Sequence, residues 1–165
     1  MNRRIERAEE LAKAIPAAAE MLRYYIKVVG QAFLPAAGFQ PASGPSRFPC
    51  PHCGGLPVLA VLRPEGDGGK RSLLCSVCDT EWEFRRLLCP ACGEEDPGKL
   101  PIYLAEEFPH VRVEACDSCH RYLKCIDLTR NGLADPVVDE IAAVALDVWA
   151  NENGYTKLQL NLVGI

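Results

Sequence analysis

Apolar and polar positions alternate differently in three parts of the chain. Residues 3 to 14 have helix-forming composition, with Ile5, Ala8, Leu11, Ala12 and Ile15 at helical spacing. Pro16 interrupts this run and can open a second helix, in which Ala18, Leu22, Tyr25, Ile26, Val29 and Phe33 make one apolar face. From Leu34 to Pro49 the periodicity stops. Prolines at 35, 41, 45 and 49 and glycines at 38 and 44 predict an extended, rather stiff linker. In the middle of the chain, short runs of strand length are separated by turn chemistry. The first set is Pro57–Leu62, a turn over Pro64–Gly69, Lys70–Leu74, and Glu81–Leu88. The second is Leu100–Ala105, a turn over Glu106–Pro109, His110–Ala115, and Arg121–Leu128. Helical spacing returns near the end. Asp135-Pro136 reads as an N-cap followed by proline in the first helical position, and Asp139 and Glu140 suit the positive end of the helix dipole. The predicted buried stripe is Val137, Ile141, Val144, Ala145 and Val148, with Gly154 as the stop and Tyr155–Ile165 as an extended tail.

Cysteine changes this picture most. Eight of the nine cysteines form four pairs, Cys50/Cys53, Cys75/Cys78, Cys89/Cys92 and Cys116/Cys119, and each set of strands lies between two pairs. The order is C-x2-C-x21-C-x2-C, ten residues, then C-x2-C-x23-C-x2-C. Two residues between cysteines let the backbone turn around one metal with both thiolates aimed at it, and two such knuckles complete a tetrahedral S4 site. The halves repeat in kind: Cys50-Pro51-His52-Cys53-Gly54 is matched by Cys89-Pro90-Ala91-Cys92-Gly93. The simplest arrangement is therefore α+β, with two tandem rubredoxin-like or zinc-ribbon β units and flanking helices. Cys50, Cys53, Cys75 and Cys78 would bind one metal; Cys89, Cys92, Cys116 and Cys119 would bind the other. Crossed pairing between the halves is the alternative, at the cost of longer loops to close. Iron and zinc accept the same four thiolates, so spacing does not choose between them. A disulfide framework suits short exported chains, and a redox dithiol suits a single CxxC at a helix start; neither context is present. Cys125, in a strand between apolar residues, reads as a small buried hydrophobe.

These elements divide the chain into a helical segment (1–34), a Pro-rich linker (35–49) and a metal-binding domain with a C-terminal helix (50–165). So small a metal domain should draw folding energy from its ions. The N-terminal helix pair should dock on that domain or on a second chain, the latter making a homodimer. Net charge is −4 with no basic stripe, which argues against a nucleic-acid surface and for protein partners. Arg3-Arg4 is followed by the charged run Ile5–Glu10 rather than an apolar core, so it reads as a helix start and not as a twin-arginine signal. No run reaches membrane-spanning length, and the expected setting is the cytoplasm, where thiols stay reduced. His52 and His120 adjoin knuckles and read as solvent-facing; His110 has no visible partner. Glu94-Glu95-Asp96 and Glu106-Glu107 read as solvated turns. No catalytic acid, base or nucleophile set stands out.

The run Cys75-x-x-Cys78-x-Thr80-Glu81-Trp82-x-x-x-Arg86-x-x-Cys89 resembles the middle of the formate dehydrogenase accessory proteins of the FdhE type. The likeness continues through Cys116-x-x-Cys119 and Tyr122-Leu123-Lys124. It then takes in Asp139-Glu140-x-Ala142, Leu146-Asp147, Gly154-Tyr155 and Asn161, covering about residues 48 to 163. The resemblance implies a cytoplasmic, non-enzymatic protein with rubredoxin-like centres, usually of iron. It would be needed for active formate dehydrogenase and would contact the catalytic subunit of that enzyme. The family typically has a long helical N-terminal domain where about 48 residues stand here, which fits a short form. Its tail commonly reads Asn-Pro where this chain has Asn161-Leu162. The other reading the ribbons allow is a zinc-ribbon adaptor for RNA or a nucleic-acid machine.

Overall fold

A computed structural model describes residues 48–161 and 164; the helices expected before Leu34 and the linker up to residue 47 lie outside the described residues. Strand β1 (Pro57–Glu65) turns at Gly66, in the left-handed region at φ 55°, into antiparallel β2 (Gly68–Cys75). β3 (Glu81–Glu83) pairs antiparallel with β2. The second set repeats this plan with β4 (Ile102–Leu104), β5 (Val111–Cys116) and β6 (Arg121–Asp127), after a short 3-10 turn at Pro97–Lys99. The two units are not separate beads. β1 and β6 run parallel, Leu59 opposite Lys124 through Leu62 opposite Asp127, and the order across one sheet is β3-β2-β1-β6-β5-β4. The long strands sit centrally, where both faces are covered, and the three-residue strands lie at the edges.

The third strand of the first unit stops at Glu83, short of the expected Leu88. Phe84 turns in to bury itself edge-on to Phe48, ring centres 5.2 Å apart, with the Arg71 guanidinium 5.3 Å from its ring. Arg71 also donates to Arg85 O at 3.0 Å, so residues 84–88 wrap over the sheet instead of extending it. Arg71 further ties the units together. Its guanidinium donates to Glu114 Oε2 at 2.7 and 2.9 Å, and Arg112 donates to Glu114 Oε1.

Pleating sends alternate residues to opposite faces. Leu59, Val61, Val111, Val113, Tyr122 and Ile126 face two helices, α1 (Pro136–Ala142) and α2 (Val144–Glu152). Ala60, Leu62, Leu73, Leu123 and Cys125 face the other way, under Phe84, Leu88 and Leu158. Asp135 caps α1 as expected, accepting from Val137 N and Val138 N at 3.0 Å, while Asp139 Oδ2 accepts from Asp135 N.

Two expectations for this region need correction. The single helix is broken at Ala143 (φ −85°, ψ 38°), and its buried row is Glu140, Ala143, Leu146, Asp147 and Ala150. Val144, Ala145 and Val148 face outward instead, and Val137 and Ile141 are half-buried. The reason is Lys124, which points from β6 towards the helices and is fully buried. Its ammonium donates to Glu140 O, to Ala143 O at 3.3 Å and to Asp147 Oδ2 at 2.5 Å, and lies 3.1 Å from Glu140 Oε1. Lys157 completes the set against Glu140 and Asp147. Tyr122 donates to Asp147 at 2.9 Å and Asn161 to Glu140 at 2.9 Å. Two lysines and two carboxylates thus balance in the interior. Paired in this way the charges tolerate burial, and their mutual attraction overrides the rotation that valine burial alone would select. The tail is likewise more integrated than an extended run: β7 (Thr156–Lys157) lies parallel to β6, and Tyr155, Leu158 and Asn161 are buried.

Candidate metal centres

Each cysteine pair sits in a tight turn that brings the chain back on itself. Gly54 N donates to Cys50 O, Gly93 N to Cys89 O and His120 N to Cys116 O, at 2.8, 2.9 and 2.8 Å. The residue after the second cysteine is left-handed in all four knuckles: Gly54 at φ 73°, Asp79 at 53°, Gly93 at 82° and His120 at 53°. Glycine serves this conformation at little cost, and Asp and His are among the residue types that tolerate it best. His120 is thus exposed as a turn residue, and His52 is exposed as well.

The turns gather the eight thiols into two groups, in the sequential grouping rather than the crossed one. Cys50, Cys53, Cys75 and Cys78 form one, and Cys89, Cys92, Cys116 and Cys119 the other, with all sulfurs of a group within 4.8 Å of each other. Cys50 Sγ is 3.7 Å from Cys78 Sγ, and Cys53 Sγ 3.4 Å from Cys75 Sγ. In the second group the Cys89–Cys119 and Cys92–Cys116 separations are 3.8 and 3.7 Å. A tetrahedron with metal–sulfur bonds of about 2.3 Å has sulfur–sulfur edges of about 3.8 Å, so both groups fit one zinc- or iron-sized ion. Backbone N–H groups of His52, Gly55 and Val77 approach Cys50, Cys53 and Cys75 Sγ at 3.4 Å, and those of Gly55 and Val77 favour thiolate over thiol at Cys53 and Cys75.

In each group one thiol is drawn towards ionisation by its surroundings. Burial opposes ionisation of Cys78, but the Thr80 hydroxyl 3.1 Å away, the Thr80 N–H and the adjoining thiols outweigh it and bring the thiol down to about 7. Burial raises Cys75 and Cys53 in the same group. In the second group Cys92 is lowered, with burial outweighed by the Glu94 N–H and neighbouring thiols, while burial pushes Cys89 up to about 11 and raises Cys119. A cation entering either group would therefore displace protons from the thiols that burial raises. Cys125 stands apart, fully buried in the sheet, with burial raising its thiol.

The surroundings hold groups whose roles sequence did not single out. Glu94 accepts from Ser118 Oγ at 2.6 Å and from Glu95 N and Asp96 N, which hold its carboxyl down to about 2 and lock the second group's two knuckles together. Gly55 holds the corresponding place in the first group, where an added Cβ would stand 2.9 Å from Cys75 Sγ and from Val77 Cγ2. Aligning Cys53-Gly54-Gly55 with Cys92-Gly93-Glu94 marks this position as the one where the repeats differ. Tyr155 donates to Asp117 Oδ1 at 2.6 Å, anchoring the last knuckle to the chain beyond α2. His110, expected to stand alone, has Nε2 at 2.9 Å from Asp139 Oδ1.

The family model described as FdhE, central domain, matches residues 49–86, and that described as FdhE, C-terminal domain, matches residues 87–163. The chain belongs to the FdhE family. The boundary between the two FdhE matches falls between the first ribbon and Cys89, where the second begins. A "Protein FdhE homolog" of Aquifex aeolicus is 38% identical over 116 residues, covering 70% of this chain and 41% of that one. One from Pasteurella multocida is 34% identical over 151 residues, covering 91% and 47%. The crystal structure of the FdhE protein from Pseudomonas aeruginosa matches with a TM-score of 0.64 at 36% identity, covering 72% of this chain and 41% of that one. The chain thus spans less than half the length of these FdhE relatives. No helix among the described residues is long and apolar enough to cross a membrane.

Proposed function

We propose that the protein is an accessory or maturation factor for formate dehydrogenase. It would carry two ions, one bound by Cys50, Cys53, Cys75 and Cys78 and the other by Cys89, Cys92, Cys116 and Cys119. The observation that carries this reading is the pair of four-thiol clusters in a chain of the FdhE family. Four protein ligands fill a tetrahedral ion, so neither site offers a position for substrate, and the protein acts by contact rather than by turnover. Iron would add one-electron exchange, while zinc would only cross-link the knuckles. The chain's own residues do the rest. The knuckle N–H groups hold thiolate charge, and the helix pair presents an outward row of Val138, Val144 and Val148 suited to a protein surface, the catalytic subunit of the dehydrogenase in this reading.

The decisive experiment is deletion of the gene in its native cell, with formate oxidation assayed in lysate and the tagged protein used for cytoplasmic pull-down. Lost oxidation, with the dehydrogenase catalytic subunit recovered on the tagged protein, is the expected result. Undiminished oxidation with RNA or a nucleic-acid enzyme recovered instead would transfer the assignment to a ribbon adaptor. Metal analysis should give two ions per chain; thiolate-to-iron absorption that dithionite bleaches identifies iron, and a colourless loaded protein identifies zinc.

A further inference from the structure

The sheet ends on each side in a three-residue strand, and the two ends are finished differently. At β3, Cys75 N donates to Thr80 O and Phe84 N to Arg71 O. The alternation of an antiparallel ladder then turns the backbone N–H and C=O of Glu81 and Glu83 away from β2. Both of these positions carry carboxylates, paired with Arg63 and Lys70. A charged rim of this kind discourages a further strand from adding. At β4, Ala115 N donates to Pro101 O, and the same alternation turns the N–H and C=O of Ile102 and Leu104 away from β5. The side chains here are apolar, 52% and 59% exposed, and the strand carries no charge. Pro101 does not guard this edge, because the N–H it lacks would point to β5. Among the described residues, no strand pairs with β4 on its outer side.

The segment is its own complement. When two copies of β4 are laid antiparallel about Tyr103, Ile102 of one comes opposite Leu104 of the other, and each such pair exchanges both of its outward hydrogen bonds. Lys99 and Glu107 stand four positions before and after Tyr103, so the same register brings Lys99 of each copy opposite Glu107 of the other. Both are exposed, and Lys99 Nζ lies 3.6 Å from Glu94 in the single chain. Parallel copies in the same register would instead set Lys99 against Lys99 and Glu107 against Glu107, a repulsive arrangement. The side chains agree with the charges. On one face Ile102 and Leu104 of the two copies cover each other beside Leu87, which is itself 48% exposed. On the other face Tyr103 meets its copy, held in place by Trp149 with ring centres 4.6 Å apart and by the Tyr155 hydroxyl at 3.0 Å.

We infer that the open edge of β4 is a docking site for a second copy of this chain. Two copies join antiparallel through Ile102 and Leu104, with Lys99 of each against Glu107 of the other, and one sheet runs through both. An apolar middle between opposite charges, repeated on the partner in reverse, is the self-complementary surface that a twofold interface requires. This inference is independent of the formate dehydrogenase reading.

The test uses the full metal-loaded chain. Sedimentation equilibrium between about micromolar and about millimolar protein should show monomer passing to dimer. Across that range the amides of Ile102 and Leu104 should exchange about tenfold more slowly, while Tyr103, whose N–H points to β5, stays protected throughout. Ile102→Lys/Leu104→Lys gives β4 a charged rim like that of β3, and should leave a monomer in which β1 and β6 keep their protection. Glu107→Lys and Lys99→Glu should each weaken association about tenfold, and the two together should restore it. A monomer at every concentration would overturn the inference. A dimer whose Ile102 and Leu104 amides still exchange fast would overturn it in favour of another face. Protection of those amides that does not depend on concentration would overturn it in favour of cover from the same chain. A double swap that fails to restore association would overturn the antiparallel register.

Discussion

In the first ribbon the two knuckles meet at Gly55, where any side chain would strike Cys75 Sγ and Val77; in the second they meet through the Glu94 carboxylate and Ser118 Oγ. One site is closed by the absence of a side chain and the other by a charged hydrogen bond. The difference extends outward. The first ribbon puts its length into β1 and β2 and ends in the three-residue edge β3, whereas the second starts with the edge β4 and puts its length into β6. Among the described residues the second holds the polar and strand links to the C-terminal elements, from Tyr155 to Asp117, from β7 to β6 and from Lys124 to both helices. Repeats with the same ligand spacing can thus carry unequal shares of a fold. The first is a hairpin clamp, and the second is the piece to which the remaining elements attach.

The largest effects should come from the ligands. Cys50→Ser and Cys89→Ser should each lose one ion of two, because a structural site contributes on the order of 10 kcal/mol of binding energy to folding. The second ribbon carries more attachments, so Cys89→Ser should lower the thermal midpoint further than Cys50→Ser. Metal analysis and circular dichroism melts check both, with Cys125→Ser as the variant that retains two ions. If Cys125→Ser emptied a site, the ligand assignment would fail.

Next comes the buried charge set of the second half. Lys124→Met leaves Glu140 and Asp147 sharing Lys157 alone, and removal of one member of a buried ion pair costs about 3 to 5 kcal/mol. Denaturant unfolding should register that loss while both ions remain bound. A variant as stable as the parent would show that the lysine does not set the helix orientation.

A smaller, selective pair compares the two closures directly. Gly55→Ala should speed loss of the first ion to a chelator, since its Cβ must displace Val77 or the sulfur. Glu94→Ala should speed loss of the second, since the Ser118 hydroxyl loses the carboxylate that joins the two knuckles. Equal effects of either substitution on both ions would mean that the closures are not local.

The smallest effect belongs to Glu81, bonded to Arg63 at the surface. Burial would raise its carboxyl, but Arg63 and Ser72 outweigh it and hold it below the ordinary value of 4.5. A depressed folded-state pKa gives stability that is fully present above the unfolded value and fades as pH falls through the folded one. Glu81→Gln should cost less than about 1 kcal/mol at pH 7 and progressively less as pH falls, by denaturant titration across that range. A larger loss at low pH would reverse the sign and refute the assignment.

The cysteine spacing made the two thiol groups legible, and turn chemistry located every strand of the two units. What escaped has a common physical cause, since each missed feature depends on contacts between residues distant in sequence. The parallel join of β1 to β6 pairs segments more than sixty residues apart and leaves no local mark. The helix rotation was misjudged because Val137, Ile141, Val144, Ala145 and Val148 and the row Glu140, Ala143, Leu146, Asp147 and Ala150 are both periodic. Only Lys124 and Lys157, from other strands, decide between them. His110 found Asp139 by the same route, across 29 positions.

Strand β6 begins at Arg121, two residues after Cys119, and carries Lys124 to the underside of both helices. Closing the second cluster therefore sets the floor on which α1 and α2 rest, and with them the row of Val138, Val144 and Val148. Loss of an ion from that cluster is expected to loosen the row, which amide exchange in α1 and α2 would register. In the proposed reading, an ion in that cluster would brace the floor beneath the valine row that a partner protein meets.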